Sequence, residues 1–280
     1  MKKWLKLLVL TGLLSLHIGT LHVQAGSAVA ISDNKDGTVS VKYDNNTGTK
    51  IAVMVIKSGS DKKYSYFSTA QKMDIDVPLT LGNGQYSVGV YKHVSGTSYS
   101  PLVIEEVSLQ LSDPNKAYLT SNQVISWNTK NAAIKKATSL TKKCKTEYAK
   151  VQKIYKYIVK NYHYDYAKLA QNQAGQLTNY IPDIEVIYKQ KRGICYDISV
   201  LNASMLRSLG IKAKMVKGYP VNKYYDGSVY HAWNKVYCKK KWIIIDATCD
   251  MCLYEQGAMK FKLKNMEKKA SQYSKVTYEY

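Results

Sequence analysis

Proline is scarce in this chain, 5 residues in 280, and beyond the N-terminal stretch no segment is apolar enough to cross a bilayer. With 45% hydrophobic residues, the chain can bury at least one substantial core, or two smaller ones if it divides into two domains. Acidic residues are also few: 20 Asp and Glu stand against 41 Lys and Arg, a formal charge of +21. Such a field draws in polyanions, and outside a cell these are anionic wall polymers, lipid headgroups, glycans and nucleic acid. The lysines are scattered through both halves, which fits a solvated basic surface better than a dedicated binding block. No zinc-finger spacing, helix-turn-helix signature or aromatic RNA-binding motif is present, so a specific nucleic-acid module is excluded. There is no internal repeat and no acidic cluster of calcium-loop type.

Lys2, Lys3 and Lys6 precede an apolar run from Leu7 to Leu16, too short for a settled membrane helix. Val23 and Ala25 place small residues before Gly26, so residues 1–25 read as a signal peptide, with an uncleaved anchor as the alternative. Its removal would leave +18, and a product that is secreted or associated with the cell wall, with no transmembrane segment. The five cysteines, at 144, 195, 238, 249 and 252, are an odd number, so at least one thiol stays unpaired. Cys249 and Cys252 form a Cys-x-x-Cys, but zinc needs four ligands and only Cys238 offers a third. Buried thiols or one disulfide account for them better.

From Ala28 to Leu111, short runs rich in Val, Ile, Tyr and Thr alternate with turn signals such as Asp36-Gly37 and Gly82-Asn83-Gly84. About seven strands are expected, a small immunoglobulin-like or fibronectin-like sandwich over residues 26–113. Asp113-Pro114-Asn115 marks the boundary, and residues 114–280 change to helical patterning. Helices are expected over 131–143, 146–162, 183–190 and 197–209, with a loop over 171–179. β-like runs follow at 212–219, 230–237 and 242–246, so this half is of the α+β class. The tail from Lys262 has no clear pattern.

In Gly193-Ile194-Cys195-Tyr196-Asp197, a cysteine stands at a helix start, where unpaired amides and the helix dipole favour a thiolate. His231 opens one expected strand and Asp246 ends the next. Paired as a hairpin, the two would fall near opposite positions, and a carboxylate closing an apolar run needs a partner. Each residue alone has an ordinary structural explanation. Together they have the composition of a nucleophile, a base and an orienting acid.

The segments Gly-x-Cys-x-Asp, Leu206-Arg207-Ser208-Leu209-Gly210-Ile211-Lys212-Ala213, His231-Ala232-Trp233 and Trp242-x-x-x-Asp246-Ala247-Thr248 resemble the transglutaminase-like superfamily over roughly residues 145–250. The resemblance implies a papain-like α+β core, with Cys195 as nucleophile, His231 as base and Asp246 as orienting acid. It implies acyl transfer from an amide through a thioester; with no calcium-loop cluster in the sequence, no cofactor and no metal are expected. Water would resolve the thioester in a peptidase or amidohydrolase acting on a peptide or protein, cell-wall peptide among the candidates. An amine would resolve it in a crosslinking transglutaminase. A third reading keeps the fold as an inactive surface scaffold with the β module as its adhesive part. Tyr162, His163, Tyr164 and Tyr188 are candidates for the second oxyanion donor beside the Cys195 amide. One departure stands out: Lys235 occupies a position that is commonly acidic in the family.

Overall fold

A computed structural model describes residues 29–280. The expected signal peptide lies outside the described residues. The first seven strands are β1 (Ala30–Asp33), β2 (Thr38–Asp44), β3 (Ile51–Lys57), β4 (Lys63–Ser68), β5 (Lys72–Pro78), β6 (Gly84–Ser95) and β7 (Ser98–Leu109). They form two antiparallel sheets, ordered β1-β2-β5 and β4-β3-β6-β7. Alternation puts Val39, Val41 and Val77 of one sheet and Val53, Val55, Val88 and Val90 of the other into one buried cluster. This is a β-sandwich.

The remaining chain alternates helices with short strands before a sheet. The elements are α1 (Ala132–Thr141), α2 (Glu147–Asn161), β8 (His163–Tyr164), α3 (Tyr166–Gln173), α4 (Ile184–Gln190), β9 (Arg192–Gly193) and α5 (Cys195–Arg207). Strands β10 (Ala213–Gly218), β11 (Val221–Asn222), β12 (Tyr225–Asp226), β13 (His231–Cys238) and β14 (Lys241–Ile245) follow. Helix α6 (Ala247–Glu255), β15 (Glu267–Lys268) and β16 (Val276–Glu279) complete the order. The main sheet is antiparallel, β15-β14-β13-β10-β16. Helix α5 lies on it, buried along almost its whole length. Thr146 caps α2 by accepting from the Ala149 amide at 3.1 Å, and Val151, Ile154, Tyr155, Ile158 and Val159 form its buried stripe.

Three segments differ from the expectation. Residues 171–173 belong to α3, which Asp165 starts by accepting from the Lys168 amide at 2.9 Å. Helix α6 begins where the hairpin was expected to end, with Asp246 as its cap. The patternless tail supplies both outer strands of the main sheet. Edge strands carry few buried side chains, so their sequence shows little alternation.

Arg207, at the end of α5, is buried and donates to three backbone carbonyls: Ala213 at 2.9 Å, Thr120 at 2.8 Å and Tyr280 at 2.9 Å. Beside it the Tyr64 hydroxyl of the sandwich donates to the Glu279 carbonyl at 3.2 Å, and Tyr64 packs edge-on against Tyr278 and Tyr280. The last strand is thus held between the sandwich and the sheet.

Candidate active site

Cys195 is the first residue of α5, and the amides of that first turn have no partner within the helix. The turn is shaped by Asp197, which is fully buried and accepts from the Ile194 amide at 2.9 Å. Ile194 has no side-chain acceptor to return the bond, so this is half of a capping box. The same carboxylate also binds Lys168 Nζ at 2.9 Å and the Tyr180 hydroxyl at 2.6 Å. Gly193 is required by this packing: a Cβ there would stand 2.6 Å from the Cβ of Asp197. Asp197 therefore fixes the backbone on which the cysteine sits.

His231 opens β13. The register pairs Asn234 with Ile245, which would place Trp233, not His231, opposite position 246. The two are near opposite positions but not directly opposed; the pair is diagonal, two residues off, on one face. Strand pairing stops at Ile245, and Asp246 turns out of the sheet to cap α6. Its Oδ1 accepts from the Cys249 amide at 3.0 Å, while Oδ2 accepts from His231 Nε2 at 2.9 Å and from the Tyr273 hydroxyl at 2.9 Å. Both oxygens of this buried carboxylate are hydrogen-bonded. The His231 ring lies over Tyr225, centroids 4.6 Å apart, and the Tyr225 hydroxyl is 3.2 Å from Nε2. The Trp233 ring is stacked nearly parallel to the His231 ring, centroids 6.3 Å apart.

Burial disfavours the charged imidazole, but the adjacent Asp246 carboxylate, with a smaller contribution from the Cys195 sulfur, outweighs it and raises His231 to about 10. Burial likewise opposes the Asp246 anion, and His231 reverses that, holding the carboxyl below its ordinary value. Cys195 and His231 line one cleft of about 270 Å³, walled by Asn172, Asn179, Tyr180, Tyr196, Lys217 and Tyr230. With Nε2 bound to Asp246, Nδ1 is the nitrogen left to serve the thiol. The arrangement offers a sulfur nucleophile, an imidazole held in one tautomer and free helix amides, the parts that acyl transfer requires.

Of the suggested oxyanion donors, Tyr162 and Tyr188 are gathered around Lys191, whose Nζ is 3.3 Å from the Tyr162 hydroxyl and 3.4 Å from the Tyr188 ring centre. His163 binds Glu255 at 2.9 Å. Tyr164 alone of the four stands near the nucleophile: burial and the neighbouring Cys195 and Cys252 sulfurs push its phenol upward. Sequence reasoning missed Tyr225, Tyr273 and Lys217: the two tyrosines lie outside the quoted motifs and the expected elements, and Lys217, although inside the expected strand 212–219, belongs to no motif. Lys235 pairs with Glu279 at 2.6 Å on the sheet surface, so its charge is balanced by the tail. All five cysteines are free thiols, and Cys249 and Cys252 both lie on α6 without bonding. Among the described residues no cluster of three His, Cys, Asp or Glu side chains is placed to hold a metal ion, and no helix is long and apolar enough to cross a membrane.

Among known proteins, the transglutaminase-like superfamily model matches residues 134–247. No curated protein matches the sequence. Several solved structures are similar. A candidate cysteine protease from Cytophaga hutchinsonii is 16% identical, with 71% of this chain and 74% of that one covered and a TM-score of 0.40. The periplasmic domain of TgpA from Pseudomonas aeruginosa is 13% identical, over 75% of this chain and 94% of that one, with a TM-score of 0.36. Red sea bream transglutaminase is 9% identical over 75% of this chain, which spans about half of it (48%), with a TM-score of 0.31. From the helix that precedes the cleft to the acid that follows it, residues 134–247 are similar to the transglutaminase-like superfamily.

Proposed function

We propose that this protein is an exported thiol enzyme that cleaves amide bonds in peptides or proteins through a thioester on Cys195. The observation that carries the reading is the 2.9 Å bond between His231 Nε2 and Asp246, at a cleft whose other wall begins with Cys195. In the proposed reaction the thiolate adds to an amide carbonyl, and the oxyanion is met by the Cys195 amide with Tyr164 beside it. His231 gives its proton to the departing amine, and water, deprotonated by His231, then releases the acid. Hydrolysis is favoured over transfer to a second amine because the cleft wall carries the side-chain amides of Asn172 and Asn179, groups that hold water. The N-terminal basic and apolar stretch and the +21 charge support a role outside the cell, against peptides embedded in an anionic wall. In this reading the β-sandwich is an immunoglobulin-like spacer or binding module.

The test is alkylation of Cys195 by iodoacetamide across pH, in wild type and His231→Ala, followed by peptide turnover with and without an amine probe. Rapid alkylation that the histidine change slows, with peptide turnover abolished by Cys195→Ala, is the expected result. Incorporation of the amine in preference to hydrolysis would move the assignment to a crosslinking enzyme. Slow alkylation indifferent to His231 would leave only a scaffold.

A further inference from the structure

The cleft holds one charged group that the proposed chemistry does not use. Lys217 is on β10, whose alternation puts it on the same face as Ala213 and Met215, which pack against α5. It emerges just beyond that core, at the helix start. Its Nζ lies 3.8 Å from the centre of the Tyr196 ring and 5.5 Å from that of Tyr280. Gly218, next along β10, pairs with His231, and the register against β16 shifts between Lys217 and Gly218. The lysine is therefore set by two neighbouring strands.

What Lys217 lacks is an anion. The sheet's other lysines have one: Lys214 and Lys235 both bind Glu279, at 2.7 and 2.6 Å. None of the ion pairs among the described residues includes Lys217. The cleft it shares with Cys195 and His231 is lined by amides, phenols and aliphatic groups, with no Asp or Glu. Burial lowers its ammonium to about 8, an effect opposed only by the Cys195 sulfur. Keeping a half-buried cation without a partner costs stability, and a bound anion would remove that cost. A side chain stacked on an aromatic face and reaching into a reaction cleft is also preorganised for a ligand.

We infer that Lys217 is a specificity-determining residue that binds a carboxylate on the substrate, so that the preferred amides carry a free carboxylate close to the bond that is broken. This rests on Cys195 being the nucleophile. The ammonium donates to the carboxylate and pins the acyl portion above α5, while neutral amides lacking that group lose the contact.

The experiment compares the alkylation rates of Cys195 by iodoacetate and iodoacetamide, reagents of nearly one shape that differ in carrying a carboxylate. It uses the full chain in wild type, Lys217→Met, Lys217→Arg and Lys223→Met. Lys223 is exposed on the nearby hairpin, its Nζ 4.5 Å from the Tyr224 ring, and reports the general basic field. The expected result is that Lys217→Met slows iodoacetate about tenfold more than iodoacetamide, the factor a charge-assisted hydrogen bond supplies. Lys217→Arg and Lys223→Met should keep the wild-type ratio, and the arginine variant also guards against loss of fold. An equal slowing of both reagents by Lys217→Met would overturn the proposal, since the lysine would then act on the sulfur and not on the ligand. An unchanged ratio overturns it too. A Cys195 that reacts slowly with both reagents in wild type would instead remove the thiol-enzyme reading, and this one with it.

Discussion

At the scale of single residues, the His231–Asp246 pair makes a pH prediction whose sign follows from the two shifts. His231 is raised to about 10, so its contribution to stability is complete below the ordinary value of 6.5 and fades as pH rises through about 10. Asp246 is lowered, so its contribution holds above the ordinary 3.8 and fades as pH falls through the depressed value. The stability gap between wild type and Asp246→Asn in urea unfolding should therefore be widest between about pH 4 and 6.5 and shrink on both sides. The same variant should return the imidazole titration toward 6.5 by NMR and cut peptide turnover by about 100-fold or more, because the ring loses its tautomer and orientation. An unchanged histidine titration would show that the pair is not formed in solution. Gly193→Ala probes the backbone under the nucleophile. The added methyl meets Asp197, which is buried and bonded on three sides, so the site cannot relax. A loss of about 1–3 kcal/mol by urea unfolding, with slower Cys195 alkylation, is expected.

At the scale of elements, the start of α5 depends on a carboxylate that α3 helps to neutralise. Lys168 on α3 reaches Asp197 with only 16% of its side chain exposed. Lys168→Met leaves that buried anion with the Tyr180 hydroxyl and one amide, and should cost about 3 kcal/mol in urea unfolding. Turnover should fall as well, because Tyr180 and Asn179 wall the cleft from the same loop. A variant as stable as wild type would mean that Asp197 does not need the cation. How legible these elements were in the sequence follows from what each buries. Helices α2 and α5 announce themselves because a wide face of each is apolar, and β13 and β14 because their runs are long and sheet-forming. The nucleophile, base and acid could be picked out because motif and context coincide at Cys195, His231 and Asp246. Helix α3 buries no residue, so it leaves no periodic trace beyond its Asp165 cap. The outer strands and the tyrosines around His231 and Asp246 depend on contacts distant in sequence, such as Tyr273 with Asp246, which local pattern does not encode. His231 and Asp246 stand two residues off direct opposition because the hairpin turns tightly at Lys239 and Lys240, both at positive φ, which fixes Trp233 opposite position 246.

At the scale of the whole molecule, one guanidinium gathers segments that are far apart in sequence. Burial pulls Arg207 down to about 9, yet its donors are met by the carbonyls of Ala213, Thr120 and Tyr280. Arg207→Ala takes the guanidinium donor from the carbonyls of Ala213 and Thr120, leaves the Tyr280 carbonyl with the Met215 amide alone, and opens a large void, at a cost of about 3 kcal/mol or more. Wild type should melt in one calorimetric transition, and the variant in two, with the sandwich separating from the catalytic half. Two transitions in wild type would show that the halves are independent. The same tie bears on how such a protein can change over generations. A sandwich joined to a catalytic core by a bare linker can be traded for another by recombination, like a bead on a string. Here a trade at the junction near Thr120 would leave a buried cation facing the wrong backbone, and a trade that spared Thr120 would still unseat Tyr64 from the final strand. The two halves are therefore expected to be inherited together, with changes at position 207 arriving only alongside changes at the junction and in the tail.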